Sequence, residues 1–299
     1  MSTQQTLITS RDDKGRHAVN LFATQYDKEK LDGEQAQRLN ERGGELQDGI
    51  SKLIAELSVS DRYASEEVTS SYTYPGEYNR RPIEEQVESI AKMLDLDPQC
   101  AYEFAKNLPE LPNGAEGWFA IPSVKAVAKK HFPEVTDQAE QDCRACQLVH
   151  SMVADQRKFR NWREGEITSD RLRVHARSAH AMDLIAEQQT GDILIIAAQL
   201  GMRHRGRSVR RAREVFVADE FGLGSFAVGC IVLTHPERLV RYEELDMDCA
   251  GDEFSLGADG SFSRAPFWHF DDGEVGFDMR RVDDASDYYG SASGFVPQS

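Results

Sequence analysis

Arginine is concentrated in one short segment of this sequence, Met202–Arg213, which reads MRHRGRSVRRAR. The segment holds six arginines and one histidine but no acidic residue. A guanidinium is always charged and binds phosphate or carboxylate through two parallel hydrogen bonds. Gly206 in its middle allows a sharp turn or a close approach of the backbone to an anion. The segment is therefore predicted to bind a phosphate-bearing partner, with nucleic acid or another polyanion as the first candidate.

Positive charge is also concentrated around this segment. From Arg157 to Arg213 the sequence has 13 Lys and Arg against 6 Asp and Glu, a net charge of +7, whereas the rest of the chain carries −23. Three arginines on a helix expected after Ser169 are predicted to support the arginine-rich segment. The predicted phosphate or nucleic-acid site comprises Arg203, His204, Arg205, Arg207, Arg210, Arg211, Arg213, Arg171, Arg173 and Arg177.

The same arginines have a second interpretation, in which their partner is the protein itself. Glu214–Ser299 contains 18 acids against 5 arginines, with dense acidic stretches such as Glu243-Glu244 and Asp271-Asp272. The arginines would then pair with these carboxylates within the fold or across a homo-oligomer. The chain would be a non-catalytic interaction or scaffold protein. Because charge clusters report association rather than chemistry, composition leaves both interpretations open.

A hydrolase-type enzyme is the third interpretation, with a site that combines a histidine and carboxylates. Its candidates are His204, His235 or His269 with the carboxylates of Asp246–Glu253. No nucleophile elbow is recognisable around Ser178, and Phe221–Gly224 (FGLG) lacks the six-position dinucleotide fingerprint. The sequence leaves open whether the chain is an enzyme, and it predicts no cofactor.

Cys143, Cys146 and His150 have the spacing C-x-x-C-x-x-x-H on a predicted helix. Spacings of three and four place the three side chains on one face, which makes a shared metal conceivable. A closed zinc site needs a fourth ligand, and the other three cysteines stand alone in the sequence. Small cysteines and a histidine in a helix core explain the pattern without a metal. No metal is therefore predicted.

The acidic segment Asp246–Asp252 (DMDCAGD) matches four positions of a calcium-binding loop. Ala250 stands at position five, where a ligand is expected, and Gly257 at position twelve, where a bidentate glutamate belongs. Because both are missing, we interpret the segment as an acidic turn.

Helices are expected mainly in the first two thirds of the chain, and strands later. Apolar residues recur at helical spacing, and prolines and capping residues mark helix ends. The predicted helices are Asp27–Arg42, Glu45–Leu57, one from Pro82, Pro98–Asn107, one from Ser123, Asp137–Phe159 and Ser169–Gln189. The predicted strands are Gly117–Pro122, Asp192–Leu200 and a hairpin of Pro266–Phe270 with Val275–Met279. Arg213–Ala218 alternates apolar and polar residues, and Ser225–Thr234 fits a helix or a strand. This order predicts an α+β fold.

The domain organisation follows from the same elements. Residues 1–24 are polar and are expected to form a loose N-terminal tail. Residues 25–81 are expected to form a helical hairpin followed by a linker or an extended arm, Val59–Arg81. An α+β core is predicted over 82–281, helical in 82–190 and strand-rich in 191–281. Residues 282–299 are acidic and rich in Ser and Gly, which predicts a flexible tail.

The whole-chain composition excludes several classes of protein. The 299 residues carry a net charge of −16, with 40% apolar and 29% charged residues, which excludes a disordered polyampholyte. No apolar run approaches the roughly 20 residues of a membrane helix, so no membrane partner is expected. The N-terminus lacks the apolar segment of a secretory signal. Five scattered cysteines are typical of reduced thiols, and a cytoplasmic location is predicted.

Overall fold

The computed structural model describes residues 11–58, 60–257 and 260–297. Helices dominate the first part of the described chain and most strands follow later, which confirms the α+β class. The chain forms two compact units that divide between Val59 and Ser60. From Ser60 onward, the arm predicted before Pro82 therefore belongs to the larger second unit rather than to the helical hairpin.

The first unit consists of helices α1 (Asp13–Lys28), α2 (Gly33–Glu41) and α3 (Gly43–Leu57). The helix predicted over Asp27–Arg42 is thus divided between two helices, and the tail predicted over 1–24 is helical from Asp13 onward. Neither α1 nor α2 buries a side chain. Val19, Phe22 and Tyr26 of α1 recur at spacings of three and four, a helical signal that the prediction of a tail did not use, and these side chains are exposed. Residues 1–10 of the predicted tail lie outside the described residues.

In the second unit most helices begin where the sequence predicts them. They are α4 (Ile83–Leu94), α5 (Gln99–Ala105), α6 (Val124–His131), α7 (Gln138–Gln156), α8 (Ala176–Gln188), α9 (Val209–Val215) and α10 (Ser225–Thr234). Asp137 caps α7 by accepting the Glu140 N–H at 3.0 Å. Every residue of α10 is buried, as expected for a helix that is apolar on all sides.

One mixed sheet contains the ten strands of the described residues. They are β1 (Gly117–Pro122), β2 (Phe159–Asn161), β3 (Leu172–Val174), β4 (Ile193–Arg205), β5 (Glu220–Gly222), β6 (Asp246–Asp248), β7 (Asp252–Phe254), β8 (Arg264–Asp271), β9 (Glu274–Arg281) and β10 (Tyr289–Phe295). The strand order is β1-β4-β10-β6-β8-β7-β3, with β5 beside β10 and β9 between β8 and β2. The pairs are antiparallel except β10–β6 and β2–β9. The predicted hairpin is present as β8–β9.

The helix predicted over Ser169–Gln189 is wrong in its first part. Residues 172–174 form β3, which pairs with β7, and α8 begins only after His175. Strand pairing with a distant segment has overridden the local helical pattern here. Arg171 and Arg173 therefore lie outside a helix, and of the three supporting arginines Arg177 alone is on α8. The alternating segment 213–218 is likewise not a strand, since α9 runs to Val215.

The prediction of a flexible tail over 282–299 is wrong for residues 289–295. They form β10, which lies between β4 and β6 inside the sheet. The small residues of this strand allow close packing: a Cβ on Gly290 would lie 2.2 Å from the Gly201 carbonyl oxygen of β4. Small residues are therefore required where β10 packs closely against β4, and here the Ser and Gly content does not indicate a flexible tail. Residues 298 and 299 lie outside the described part of the chain.

The main apolar core of the second unit lies where α7 and α10 pack against each other and the sheet. Trp268, Phe119, Phe254 and Phe277 are among its fully buried side chains. A smaller cluster forms around α9 and consists of Val209, Ala212, Phe216, Ala250 and Ala265. Within the described ranges, no helix is both long and apolar enough to cross a membrane.

Candidate functional site

The arginine-rich segment spans the end of β4, a turn at Gly206 and the helix α9. Gly206 has a φ of 77°, and a Cβ there would lie 2.1 Å from the Val68 carbonyl oxygen of the arm. The Val68 N–H donates to the Gly206 carbonyl at 2.8 Å, and the Ser208 N–H donates to the Glu66 carbonyl at 3.1 Å. The close backbone approach predicted at Gly206 is thus made by the protein's own arm.

Three arginines of the segment bind two adjacent glutamates of this arm, Glu66 and Glu67. Arg210 makes a bidentate pair with Glu66, and its hydrogen bond holds the pKa of that carboxyl below its usual value. Arg207 Nε lies 3.3 Å from Glu67. Arg211 binds Glu67 and two backbone carbonyls of the arm, and its side chain is only 7% exposed. The arm and the arginine-rich segment therefore form one continuous ionic contact.

The remaining residues of the predicted site also have acceptors within the second unit. His204 Nε2 lies 2.7 Å from Glu220 Oε1, both side chains being buried, and Arg203 Nε lies 3.3 Å from the same carboxylate. Three further arginines donate to backbone carbonyls: Arg205 to Tyr72, Arg213 to Ala250 and Asp252, and Arg177 to Val217 and Ala218. The last two pair with carboxylates, Arg171 with Glu166 and Arg173 with Glu253. The arginines therefore have partners within the chain. Glu220 and Glu253 belong to Glu214–Ser299, as the second interpretation expects, whereas Glu66, Glu67 and Glu166 do not, and the stretches Glu243-Glu244 and Asp271-Asp272 supply none of these carboxylates.

Cys143, Cys146 and His150 lie on the buried face of α7, as their spacing predicts. In the described residues no group of three or more His, Cys, Asp or Glu side chains is arranged to hold a metal ion. Burial lowers the pKa of His150 to about 3 and raises that of Cys143 to about 12. The His150 ring packs 4.2 Å from the Phe277 ring. All three side chains are therefore uncharged core residues.

A cavity of about 410 Å³ opens in the second unit among β1, α7, β3, α8 and the first turn of α10. This volume falls within the range of small-molecule sites, roughly 300–1,000 Å³. Apolar side chains form most of the wall, among them Ile121, Met182, Leu194, Phe221 and Leu223. The polar side chains on the wall include Gln138, Asp142, Ser178, Ser225 and Asp252. An apolar wall with a few polar groups is the usual composition of a ligand site.

Two of these polar groups are brought together by the contact of two glycine-containing turns, 222–225 and 249–252. The Gly251 N–H donates to the Leu223 carbonyl at 2.9 Å, and a Cβ on Gly251 would lie 2.4 Å from the Gly222 carbonyl oxygen. Only residues without a side chain permit this approach. As a result Asp252 Oδ2 accepts both the N–H of Ser225, at 2.6 Å, and its hydroxyl, at 2.5 Å.

The cavity wall carries two carboxyl groups that resist ionisation. Burial raises the pKa of Asp252, which is completely enclosed, and the hydrogen bonds from Ser225 only partly oppose this. Burial also raises the pKa of Asp142 to about 6, and repulsion by Asp252 adds to it. The two carboxyls therefore lie close enough to repel each other. A positive or hydrogen-bond-donating group in the cavity would stabilise the ionised carboxylates and so oppose both their burial and their mutual repulsion.

A chain of polar contacts supports Ser225 from behind the cavity wall. Asn161 Nδ2 lies 3.3 Å from His150 Nδ1, and His150 Nε2 lies 3.5 Å from Cys146 Sγ. The Cys146 thiol in turn donates to Ser225 Oγ at 3.4 Å. Since the neutral imidazole accepts at Nδ1, it donates at Nε2, so every donor in the chain points towards Asp252.

The histidines of the enzyme interpretation lie elsewhere. His204 is bonded to Glu220, and His235 accepts the Arg81 N–H at 3.2 Å. His269 Nε2 is buried without a hydrogen-bond partner among the described residues. None of the three lines the cavity, and of the proposed carboxylates Asp252 is the one that does. A histidine–carboxylate grouping is therefore absent from the cavity wall.

Sequence reasoning did not identify Ser225 and Asp142, and it placed Asp252 in an acidic turn. The available signal was Gly-Leu-Gly-Ser at 222–225, which joins a short strand to a ten-residue apolar stretch. Glycines at such a junction mark a close approach of another segment, which here is 249–252.

Asp142→Asn is expected to stabilise the protein at neutral pH and to have little effect below pH 4. The carboxyl has an ordinary pKa of 3.8 and a folded value of about 6. Because the folded value is raised, the wild type loses stability as pH rises between these values. At about 1.4 kcal/mol per pKa unit, the loss is at most about 3 kcal/mol above pH 6. Asparagine removes this loss and still accepts the Gln138 hydrogen bond.

Urea unfolding of both proteins at pH 4 and pH 8 measures this effect. The free energy of unfolding of the variant should exceed that of the wild type at pH 8 alone. A difference of the same size at both pH values would show that the Asp142 carboxyl is not held in its neutral form by burial.

Comparison of the chain with protein-family models, with curated proteins and with solved structures gave no match to any of the three.

Proposed function

We propose that this protein binds a small, largely apolar molecule in the cavity between α8 and the first turn of α10. The observation that carries the proposal is the composition of the wall, in which the partly buried Asp142, the buried Asp252 and Ser225 lie among mostly apolar residues around a space of about 410 Å³. Burying carboxyl groups lowers stability unless something else compensates. Their presence in an otherwise apolar cavity is explained if they bind a ligand.

The charge of these groups limits the chemistry of the ligand. Asp142 and Asp252 accept hydrogen bonds when ionised and repel an anion. The cationic side chains on the wall are Lys125 and Arg173, and Arg173 is paired with Glu253. The ligand is therefore expected to have an apolar body, and an ammonium group or another hydrogen-bond donor on it should strengthen binding. It is not expected to be an anion.

Binding of three matched probes tests this proposal. 2-Phenylethylamine, 2-phenylethanol and 3-phenylpropionate share a phenyl group and differ in charge. We expect 2-phenylethylamine to bind most tightly and 3-phenylpropionate most weakly, as measured by ligand-observed NMR titration. Above pH 6, where Asp142 is ionised, the preference for the amine should increase.

A cavity-filling substitution locates the binding site. Ala186 lines the cavity from α8, so that Ala186→Phe should weaken binding of 2-phenylethylamine at least tenfold. Ala176→Phe is the matched control, because Ala176 lies on the same helix, is exposed and does not line the cavity. Equal affinities for the two variants, or no binding of any probe to the wild type, would disprove the proposal.

A further inference from the structure

We propose that Ser225 is a nucleophile and that the cavity accepts a small carboxylic ester with an apolar acyl group. This inference rests on the proposed function, since it names the substrate class of the same cavity. The juxtaposition that carries it is a cavity-lining serine at the start of a buried helix, whose hydroxyl donates to the buried Asp252 carboxylate.

Asp252 is placed to act as the general base. Its Oδ2 accepts the Ser225 hydroxyl proton in a direct hydrogen bond of 2.5 Å. A general base must lie within hydrogen-bond distance of the proton that it removes, and it is most effective when its pKa is close to the pH at which the enzyme works. Burial raises the basicity of this carboxylate, which is therefore a stronger base than a solvated aspartate.

The start of α10 supplies the groups that would stabilise the developing oxyanion. The first-turn N–H groups of a helix have no partner within the helix. The Ser225 N–H is bonded to Asp252, whereas Phe226 and Ala227 follow directly and both line the cavity. Their N–H groups and the positive end of the helix dipole lie beside the nucleophile.

Cys146 is a positioning residue in this arrangement. Its thiol donates to Ser225 Oγ at 3.4 Å, so that the second hydrogen bond of the hydroxyl oxygen is satisfied and its proton is directed to Asp252. The thiol itself is completely buried, and burial raises its pKa above the usual value. It is therefore protonated and is not the nucleophile.

The proposed step is an ordinary acyl transfer. Ser225 Oγ forms a bond to the ester carbonyl carbon while its proton passes to Asp252. The carbonyl π electrons move to the oxygen and then return, which breaks the bond to the alcohol oxygen. The alcohol leaves with the proton held by Asp252. Water then attacks the acyl-serine by the same route, which releases the carboxylic acid and restores the hydroxyl.

p-Nitrophenyl butyrate is the probe for this step. The wild type should release p-nitrophenolate in an initial burst of about one equivalent, and the intact mass should rise by one butyryl group. Ser225→Ala should abolish both. Ser293→Ala is the matched control, because Ser293 also donates its hydroxyl to a buried carboxylate, Glu220 Oε1 at 2.6 Å, but does not line the cavity. That variant should keep the burst.

Two further variants test the roles of Asp252 and Ser225 and distinguish loss of the reaction from loss of the folded protein. Asp252→Asn should slow acylation by roughly 10²-fold or more, as expected for removal of a general base. Ser225→Cys retains a nucleophile in place and should be labelled at position 225, where peptide mapping locates the acyl group. Acylation that persists in Ser225→Ala, or a wild type that is never acylated, would overturn the proposal.

Two results separate this inference from the proposed function. Binding of 2-phenylethylamine without any acylation would refute the nucleophile and leave the cavity as a binding site. If the wild type neither binds 2-phenylethylamine nor becomes acylated, both proposals are refuted: Ser225 as a nucleophile and the cavity as a ligand-binding site.

Discussion

Arg211→Ala is expected to lower the free energy of unfolding by about 3 kcal/mol or more, because hydrogen bonds of a charged group, each worth roughly 1.5–3 kcal/mol, are lost together. The side chain is 7% exposed and binds Glu67 together with the carbonyls of Ser60 and Arg62. Alanine removes all of these bonds at once and leaves Glu67 with Arg207 as its remaining arginine partner. The arm would then stay attached to α9 through Glu66, which binds Ser208 and Arg210.

Arg205→Ala is the matched control in the same segment. Arg205 is exposed, and its contact with the protein backbone is one hydrogen bond to the Tyr72 carbonyl at 3.0 Å. Its loss should lower the free energy of unfolding by no more than about 1 kcal/mol. Urea unfolding of the two variants beside the wild type measures the difference. Equal effects would contradict the structural role assigned to the buried arginine.

The same control variant bears on the proposal that the segment binds nucleic acid. Because Arg205→Ala should remain folded, salt-dependent binding of a short oligonucleotide can be compared between it and the wild type. Loss of binding and a flatter salt dependence would support a phosphate contact at this position. A wild type that binds no oligonucleotide at low salt would refute the proposal, and the arginines would be left with the arm as their partner.

Trp268→Ala is expected to lower the free energy of unfolding by a similar amount, about 3–5 kcal/mol. Trp268 is fully buried on β8, and its ring lies 5.1 Å from the Phe277 ring and 5.3 Å from the His150 ring. Its Nε1 also donates to the Ser225 carbonyl at 3.3 Å. Alanine would leave a void beside α10 and release the start of that helix. Binding of 2-phenylethylamine should therefore weaken as well.

Trp162→Ala is the control for this substitution. Trp162 is 48% exposed, and the Arg160 guanidinium lies over its ring at 3.5 Å. Loss of this exposed contact should lower the free energy of unfolding by about 1 kcal/mol or less. Thermal and urea unfolding distinguish the two variants. If both tryptophans prove equally dispensable, the packing role assigned to Trp268 is incorrect.

Elements with strong local signals were predictable from the sequence. Asp137 followed by Glu140 indicates the start of α7, and the capping hydrogen bond is present. Asp272 and Gly273 both have positive φ in the turn of the predicted β8–β9 hairpin. Such signals depend on a few neighbouring residues, so they are not changed by the remainder of the fold.

The partners of the arginine-rich segment could not be predicted from the sequence, although its charge was evident. Arg210 and Glu66 are 144 positions apart, and nothing in the composition of the arm marks Glu66 and Glu67, rather than Glu77, as partners. An arginine fork fits carboxylate and phosphate alike. Which anion is bound is therefore decided by the topology that brings the arm beside α9.

The cavity illustrates the same limit more sharply. Ser225 lies 27 positions before Asp252 and 79 after Cys146, and each belongs to a different element. The glycines that permit their contact were visible, but a glycine does not indicate which segment approaches it. A motif search fails here because the site is assembled by packing rather than by spacing.

The position of β10 inside the sheet has a consequence for the order of events during synthesis. β4 ends at Arg205, and the strand that joins it to β6 begins only at Tyr289. At roughly 5–20 residues per second, translation would need about 4–17 s to cover this interval. During that time β4, a long apolar strand, has β1 as a neighbour but an open edge on the other side. Until residues 289–295 are available, this open edge can pair with strands of other chains, so aggregation during synthesis is the hazard that the late position of β10 creates.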